Sequence, residues 1–173
     1  AKHSVYKGKA AMQISLIGPT WRTGSKGGFY VDREGAMFFE FAPVINTGSG
    51  GTGVGDRTYD WANKVIFALK PDELGYLLER ELTDEGFELF HDPNKGREGE
   101  GQLFKKFVVK TNPDGSHFFT VSQTQHGFTS SVSVPINRAE MAVIRTLAGF
   151  SLPRLKGWDI ACDGMHVSYG PGM

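Results

Sequence analysis

Hydrophobic and polar residues alternate with a period of two along much of the chain, and this pattern predicts half-buried strands. The first predicted strand spans residues 5–16, with Lys7, Lys9 and Gln13 on one of its faces. The same criterion predicts three further strands before residue 70, at 29–31, 37–42 and 58–69. A second series follows later in the chain, at 87–90, 102–110, 118–122 and 128–134.

A helical period replaces the alternation at two places. Pro71 followed by Asp72 and Glu73 predicts a helix start, because proline suits the first turn and carboxylates favour the N-terminal dipole. The second helix is predicted after Pro135, with Asn137 as its cap, and is expected to end at Pro153. The residues expected to face the core are Leu74, Leu77, Leu78 and Leu82 in the first helix, and Ala139, Ala142, Val143, Leu147 and Phe150 in the second.

The order of these elements predicts an α+β fold in which a ββββα unit occurs twice, at about 5–82 and 87–152. One helix cannot cover both faces of a four-stranded sheet, so each unit is expected to pair with the other or with another subunit. We therefore interpret 1–173 as a single domain. The glycine-rich stretch 48–55 is interpreted as a flexible loop inserted between strands.

Composition narrows the class of protein. Apolar residues make up 39% of the chain, as in a globular protein, yet no apolar run approaches the roughly 20 residues of a membrane span. Cys162 is the single cysteine, which excludes an internal disulfide and fits a reducing compartment. The five histidines lack the spacing of a metal site, and the common catalytic motifs are missing, so we expect no catalytic residues, metal or cofactor.

Lysines on the predicted strand faces are the candidate binding residues. Lysines two or four positions apart on a strand lie about 7 or 14 Å apart, which suits the phosphates of an extended single strand. Aromatic side chains between them could stack on bases. The candidates from strand phase are Lys7, Lys9, Gln13, Phe38, Lys64, Phe104, Lys106, Lys110 and Phe118. The alternative is that these are ordinary solvated strand faces, and the zero net charge argues against a simple basic binder.

Several short segments, taken in order, resemble the Whirly proteins, which are single-stranded-DNA-binding proteins of plants. The matching segments are Val5 to Met12 (VYKGKAAM), Tyr59-Asp60-Trp61, Phe90-His91-Asp92-Pro93 with Lys95-Gly96, Pro113-Asp114-Gly115, Val134-Pro135-Ile136 with Ala139-Glu140 and Ala142-Val143, Leu152-Pro153, and Gly157-Trp158. The resemblance implies two four-stranded antiparallel sheets packed across each other and helices that mediate a tetramer. It also implies binding of extended single strands along the sheet edges between subunits, with little sequence preference. On this basis Lys7 and Lys9 are the expected binding residues.

The resemblance leaves the ligand and the partner open. The kinetoplastid mitochondrial RNA-binding proteins are similar to Whirly proteins in fold, bind guide RNA and form heterotetramers of related subunits. A neutral chain could therefore bind single-stranded DNA or RNA as a homo- or heterotetramer, or anneal RNA as one subunit of a heterotetramer. A structural or adaptor subunit of an organellar complex and a β-protein for a small apolar ligand are the alternatives from other classes. We expect an organellar location, the mitochondrion before the plastid, with the nucleus as a further alternative.

Overall fold

The computed structural model describes residues 1–45, 57–79, 86–95 and 102–162, and the structural statements below refer to these ranges. The strands in chain order are β1 (His3–Tyr6), β2 (Ala10–Ile17), β3 (Thr20–Thr23), β4 (Phe29–Arg33), β5 (Ala36–Ile45), β6 (Thr58–Tyr59), β7 (Val65–Leu69), β8 (Phe87–His91), β9 (Leu103–Thr111), β10 (His117–Gln125) and β11 (Phe128–Ile136). The helices are α1 (Pro71–Leu78), α2 (Arg138–Leu155) and α3 (Trp158–Cys162).

Two antiparallel sheets contribute to one hydrophobic core. In the first sheet β1, β2 and β5 are neighbours, and both β6 and β7 pair with the far side of β5. The second sheet has the order β11-β10-β9-β8 and is followed by α2. The α+β class and the antiparallel pairing are therefore as expected, and the second half is a ββββα unit. The first half is not, because its sheet has five strands and an additional ribbon intervenes.

The predicted strand 5–16 is in fact a hairpin. β1 and β2 pair with Val5 opposite Met12 and Tyr6 opposite Ala11, and Lys7 N donates to Ala10 O at 2.9 Å across the turn. The alternation continued through this turn by coincidence, so a single strand was the wrong prediction.

Two other strand predictions in the first half are also corrected. The segment 29–31 belongs to β4, which pairs with β3 in a separate two-stranded ribbon that the sequence did not predict. The predicted strand 58–69 is interrupted between β6 and β7, where the Asp60 carboxylate accepts hydrogen bonds from Asn63 N at 3.1 Å and Nδ2 at 2.9 Å. The glycine-rich stretch 48–55 lies outside the described residues.

Phe107 occupies the centre of the core between the sheets. Its ring lies 5.4–6.1 Å from five other phenylalanine rings, contributed by both sheets. These are Phe39, Phe41, Phe67, Phe87 and Phe119. Because Phe107 points inward, its strand neighbours Lys106 and Val108 point outward, and this parity determines which side chains the second sheet presents to solvent.

The helices begin where the sequence predicts but pack differently. Asn137 and Glu140 form a reciprocal capping box, with Glu140 N donating to Asn137 Oδ1 at 2.8 Å. α2 continues through Pro153 to Leu155, so the predicted stop is wrong. In α1, Leu74 and Leu77 are buried as expected, while Leu82 lies outside the described residues.

The face of α2 expected to meet the core is instead exposed. The buried residues of α2 are Met141, Ile144, Ala148, Ser151 and Leu155. Phe150 is 65% exposed and Val143 is 45% exposed. Both stripes of this helix are largely apolar, so periodicity could not tell which one meets the core. Small residues at 148 and 151 allow the close packing that large side chains would prevent.

Gly157, two residues after the end of α2, occupies a position that favours glycine. Its φ is +76°, and a Cβ atom there would lie 2.8 Å from the Trp21 ring and 2.9 Å from Val31 Cγ2.

We expect Gly157→Ala to lower the free energy of unfolding by about 2 kcal/mol or more, through backbone strain and this overlap. Urea unfolding measures the change. Gly75→Ala is the control: it lies within α1 with no atom near an added Cβ, and should stabilise by about 0.5–1 kcal/mol. Equal effects at both positions would contradict the packing described for Gly157.

Candidate nucleic-acid interface

The second sheet presents a surface of lysines, phenylalanines and hydroxyl groups. Inward-pointing Phe107, Val109, Phe119 and Val121 are fully buried, so the alternate residues of β9 and β10 point to solvent. We call this surface the outer face, and its members on the four strands are Glu88, Phe90, Phe104, Lys106, Val108, Lys110, Phe118, Thr120 and Ser133. Seven of them line a shallow pocket of about 430 Å³: Glu88, Lys106, Val108, Lys110, Phe118, Thr120 and Ser133.

Strand register places a phenylalanine opposite each lysine of the outer face. Phe90 is the cross-strand partner of Lys106, and Phe118 is the partner of Lys110. Phe90 is 60% exposed and Phe118 is 41% exposed, while the Phe104 ring lies 5.5 Å from the Phe90 ring and is half-buried. An exposed aromatic ring beside a cation offers a stacking surface together with a phosphate contact.

The charges on the outer face are unevenly neutralised. Lys106 Nζ lies 2.7 Å from Glu88 Oε2 on the neighbouring strand, and both side chains are largely solvated. Lys110 is exposed, and its ammonium has no ion-pair partner among the described residues. The remaining polar groups are hydroxyls bonded in pairs, such as Thr120 Oγ1 with Ser133 Oγ at 2.8 Å. The outer face therefore carries net positive potential at Lys110 and neutral polar groups elsewhere.

The predicted residues Gln13, Phe38 and Lys64 lie on the opposite side of the molecule, on the solvent side of the first sheet. Gln13 pairs with Glu40 across β2 and β5, and Glu40 binds Lys64 Nζ at 2.6 Å and Lys2 Nζ at 3.4 Å. Burial alone would raise the pKa of Glu40, but the hydrogen bonds and charges of Lys64 and Lys2 outweigh it and hold the pKa below its usual value. Glu40 is thus ionised and neutralises Lys64. Phe38 is partly buried beside it.

Lys7 and Lys9 lie at the turn of the β1–β2 hairpin and have different environments. Lys7 Nζ bonds both carboxylate oxygens of Glu140, at 2.6 and 2.8 Å, and so joins the hairpin to the start of α2. Lys9 is exposed, and its ammonium has no partner among the described residues. Of these two lysines, Lys7 therefore forms a structural ion pair, and Lys9 is a cation available to a ligand.

Sequence reasoning missed several side chains of these surfaces. Phe90 could have been found, because the alternation in β8 places Glu88 and Phe90 on the face opposite Phe87 and Leu89. In an uninterrupted strand 58–69, Tyr59 and Trp61 would share the buried face of Phe67, but both are only partly buried. The turn at Asp60 to Asn63 breaks that phase, and its turn-forming residues were the available signal.

The described residues contain neither a cluster suited to a metal ion nor a helix suited to span a membrane. In the described ranges, no three histidine, cysteine, aspartate or glutamate side chains come together as a metal site. No helix that the structure describes is long and apolar enough to cross a membrane.

Comparison with known proteins gives consistent matches over most of the chain. The family model described as "Whirly transcription factor" matches residues 5–147. Single-stranded DNA-binding protein WHY1, chloroplastic, of Solanum tuberosum is 36% identical over 164 residues, covering 93% of this chain and 56% of that protein. Single-stranded DNA-binding protein WHY2, mitochondrial, of Arabidopsis thaliana is 34% identical over 162 residues, covering 92% of this chain and 64% of that protein. The chain thus spans under two thirds of the length of these relatives.

Solved structures give the same result for the fold. The crystal structure of WHY3 from Arabidopsis thaliana superposes with a TM-score of 0.83 at 36% identity, covering 96% of this chain and 95% of that one. The structure of the plant transcriptional regulator PBF-2 superposes with a TM-score of 0.81 at 34% identity, covering 99% of this chain and 97% of that one. The overall arrangement of the chain is therefore common to these proteins.

Proposed function

This chain belongs to the Whirly family, and on that premise we propose that it binds single-stranded DNA on the outer face of the second sheet, within an organelle. The observation that carries the assignment to this face is the cross-strand register, which sets Phe90 beside Lys106 and Phe118 beside Lys110. The two lysines are four residues apart on β9, so their positions lie about 14 Å apart along the strand.

An extended strand lying along β9 would place phosphates at the two lysines and bases against the two exposed phenylalanines. Stacking tolerates every base, because each has a π-face, so this arrangement gives little sequence preference. Phosphate contacts supply a salt-dependent part of the affinity without reading sequence. The paired hydroxyls of Thr120 and Ser133 add polar contacts without further charge.

Single-stranded DNA is proposed before RNA because the curated relatives are named for it. Annealing of guide RNA and a role as an adaptor subunit have no such support. The test is a comparison of single-stranded DNA, single-stranded RNA and duplex DNA of equal length by fluorescence anisotropy at one salt concentration. We expect the tightest binding to single-stranded DNA and weak duplex binding. Preference for RNA, or no binding to any single strand, would contradict the proposal.

The organelle is proposed from the relatives, which are named chloroplastic or mitochondrial. The mitochondrion, favoured from the sequence, stays a prediction, because relatives from the two compartments match at 36% and 34% identity.

We also propose that the chain forms a tetramer through the exposed face of α2. Val143, Leu147 and Phe150 line an apolar groove of about 440 Å³, whose other wall includes Leu16 and Met37 of the first sheet. An apolar surface of this kind on one helix is typical of a subunit interface. Each chain has no net charge, but a tetramer would bring together the local positive potential of four outer faces.

Phe150→Glu is expected to dissociate this assembly, because burying a carboxylate at an apolar interface is unfavourable even with Arg154 beside it, whose guanidinium lies 4.5 Å from the Phe150 ring. The mass from light scattering should fall below that of a tetramer while the circular dichroism spectrum is unchanged. Trp158→Glu is the matched control, since Trp158 on α3 is 66% exposed and Phe150 is 65% exposed. An unchanged mass for Phe150→Glu, or an equal loss for Trp158→Glu, would contradict assembly through α2.

A further inference from the structure

Three aromatic rings line an open pocket at the tip of the β1–β2 hairpin, in the first sheet, and share no lining residue with the pocket on the outer face. The Tyr6 and Tyr59 ring centroids are 5.5 Å apart, and those of Tyr59 and Trp61 are 6.4 Å apart. We call this the three-ring pocket; it has a volume of about 470 Å³ and is also lined by Arg57 and Thr58. Its volume lies within the range of about 300–1,000 Å³ found for ligand sites.

Hydrogen bonds anchor Tyr59 and Trp61, two of the three residues whose rings line the pocket. Tyr59 Oη donates to Lys7 O at 2.8 Å, which ties the central ring to the hairpin. Tyr59 pairs with Val44 across β6 and β5, and Val44 N donates to Lys9 O at 2.9 Å. Trp61 lies within the turn from Asp60 to Asn63, and its backbone N–H donates to Tyr59 O at 2.9 Å. The central ring is thus preorganised, which reduces the entropic cost of binding a flat ligand.

The three-ring pocket is open to solvent, unlike a cluster of aromatic rings in a hydrophobic core. Tyr6 is 50% exposed, and Tyr59 and Trp61 are only partly buried. Aromatic rings that serve only packing are normally covered, since each buries a large apolar area. A cluster of three that share one opening therefore indicates a surface for another flat group.

Arg57 lines the three-ring pocket, and Lys9 lies in the adjacent turn of the β1–β2 hairpin. The Arg57 guanidinium lies over the hairpin tip, with Nη1 3.7 Å from the position of a Cβ on Gly8. Neither Arg57 nor Lys9 has an ion-pair partner among the described residues, whereas Lys7 is held by Glu140. A phosphate next to a stacked base could accept hydrogen bonds from Arg57, and Lys9 on the same hairpin is available to a neighbouring phosphate.

We propose that the three-ring pocket stacks a nucleobase of the bound single strand while Arg57 and Lys9 contact the flanking phosphates. This inference rests on the proposed function and deepens it, because it assigns base contacts to a second region of the chain. The outer face then holds one part of the strand and the hairpin tip another.

The test compares ring and cation variants for binding to an oligothymidine over a range of salt concentrations. Tyr6→Leu and Trp61→Leu should each weaken binding about five- to a hundredfold, the range for loss of one stacked base, without changing the salt slope. Trp61→Phe keeps a ring and should retain most of the affinity. Arg57→Ala with Lys9→Ala should reduce the slope by about 1.4, at about 0.7 for each phosphate contact.

Matched controls separate the pocket from general surface effects. Tyr30→Leu and Trp158→Leu remove exposed rings elsewhere, with exposures of 51% and 66%, and should leave affinity unchanged. Unchanged affinity of Tyr6→Leu and Trp61→Leu, with normal wild-type binding, would overturn the pocket and leave the proposed function intact. Absence of wild-type binding would overturn both.

Two further arms identify the source of the base. Free thymidine monophosphate should bind far more weakly than the oligothymidine, because it lacks the neighbouring phosphates. Tight binding of the free nucleotide that Trp61→Leu abolishes, with no effect on the oligonucleotide, would overturn assignment to a strand. An effect confined to oligouridine would overturn the assignment to DNA.

Discussion

Alanine at both Lys106 and Lys110 is expected to weaken binding of single-stranded DNA about ten- to thirtyfold at about 0.1 M salt, since two phosphate contacts are lost. The slope of the logarithm of affinity against the logarithm of salt concentration should become smaller in magnitude by about 1.4, because each of the two lost phosphate contacts contributes about 0.7. Lys110 should account for the larger share, because Lys106 is already paired with Glu88 at 2.7 Å. Anisotropy titrations at four or more salt concentrations measure both quantities.

The control for this pair is Lys26→Ala with Lys70→Ala. Both side chains are exposed, and neither belongs to the outer face or the hairpin tip. The net charge changes by the same amount, so a long-range field effect would weaken both double variants equally. A similar loss in the control would show that net charge, and not the register of the outer face, determines binding.

Phe107→Ala is expected to lower the free energy of unfolding by about 3–5 kcal/mol, the range for removal of a fully buried phenylalanine. The cost should lie at the upper end, because the ring contacts five others from both sheets and the cavity cannot collapse without moving them. Urea unfolding at a fixed protein concentration measures the change, since assembly adds to the apparent stability.

Phe90→Ala provides the matched comparison for stability and for binding. Its ring is 60% exposed, so stability should change by less than about 1 kcal/mol, while affinity for single-stranded DNA falls through loss of a stacked base. If Phe90→Ala destabilises the fold as much as Phe107→Ala, the assignment of the inward and outward faces of β8 and β9 is wrong.

The second half of the fold was predictable from sequence because its strands alternate without interruption. In β9 to β11 the period of two continues to each turn, and Asn112 to Gly115 supplies a recognisable hairpin. The first half was less predictable. Alternation passed through the turn at Gly8, and phase was carried across Asp60 although the chain leaves the sheet there. A period of two gives the faces of a strand only when the ends of the strand are known.

Charge pairing limited the prediction of binding residues. Lys7 pairs with Glu140, 133 positions away, and Lys64 pairs with Glu40, 24 positions away. Strand phase identifies which lysines face solvent, but pairing depends on tertiary contacts between distant segments. Phase therefore ranked Lys7, Lys9 and Lys110 alike, although the structure leaves only Lys9 and Lys110 of these three without a partner among the described residues. The family resemblance, carried by short ordered segments, is confirmed by the comparisons.

Photochemical cross-linking of an oligothymidine containing 5-iodouracil, followed by mass spectrometry of the cross-linked peptides, tests the central claim most directly. We expect cross-links to the outer face at Phe90, Phe104 and Phe118, and their suppression by excess unlabelled single strand but not by duplex. Cross-links confined to the β3–β4 ribbon or to the solvent side of the first sheet, with none on the outer face, would contradict the account.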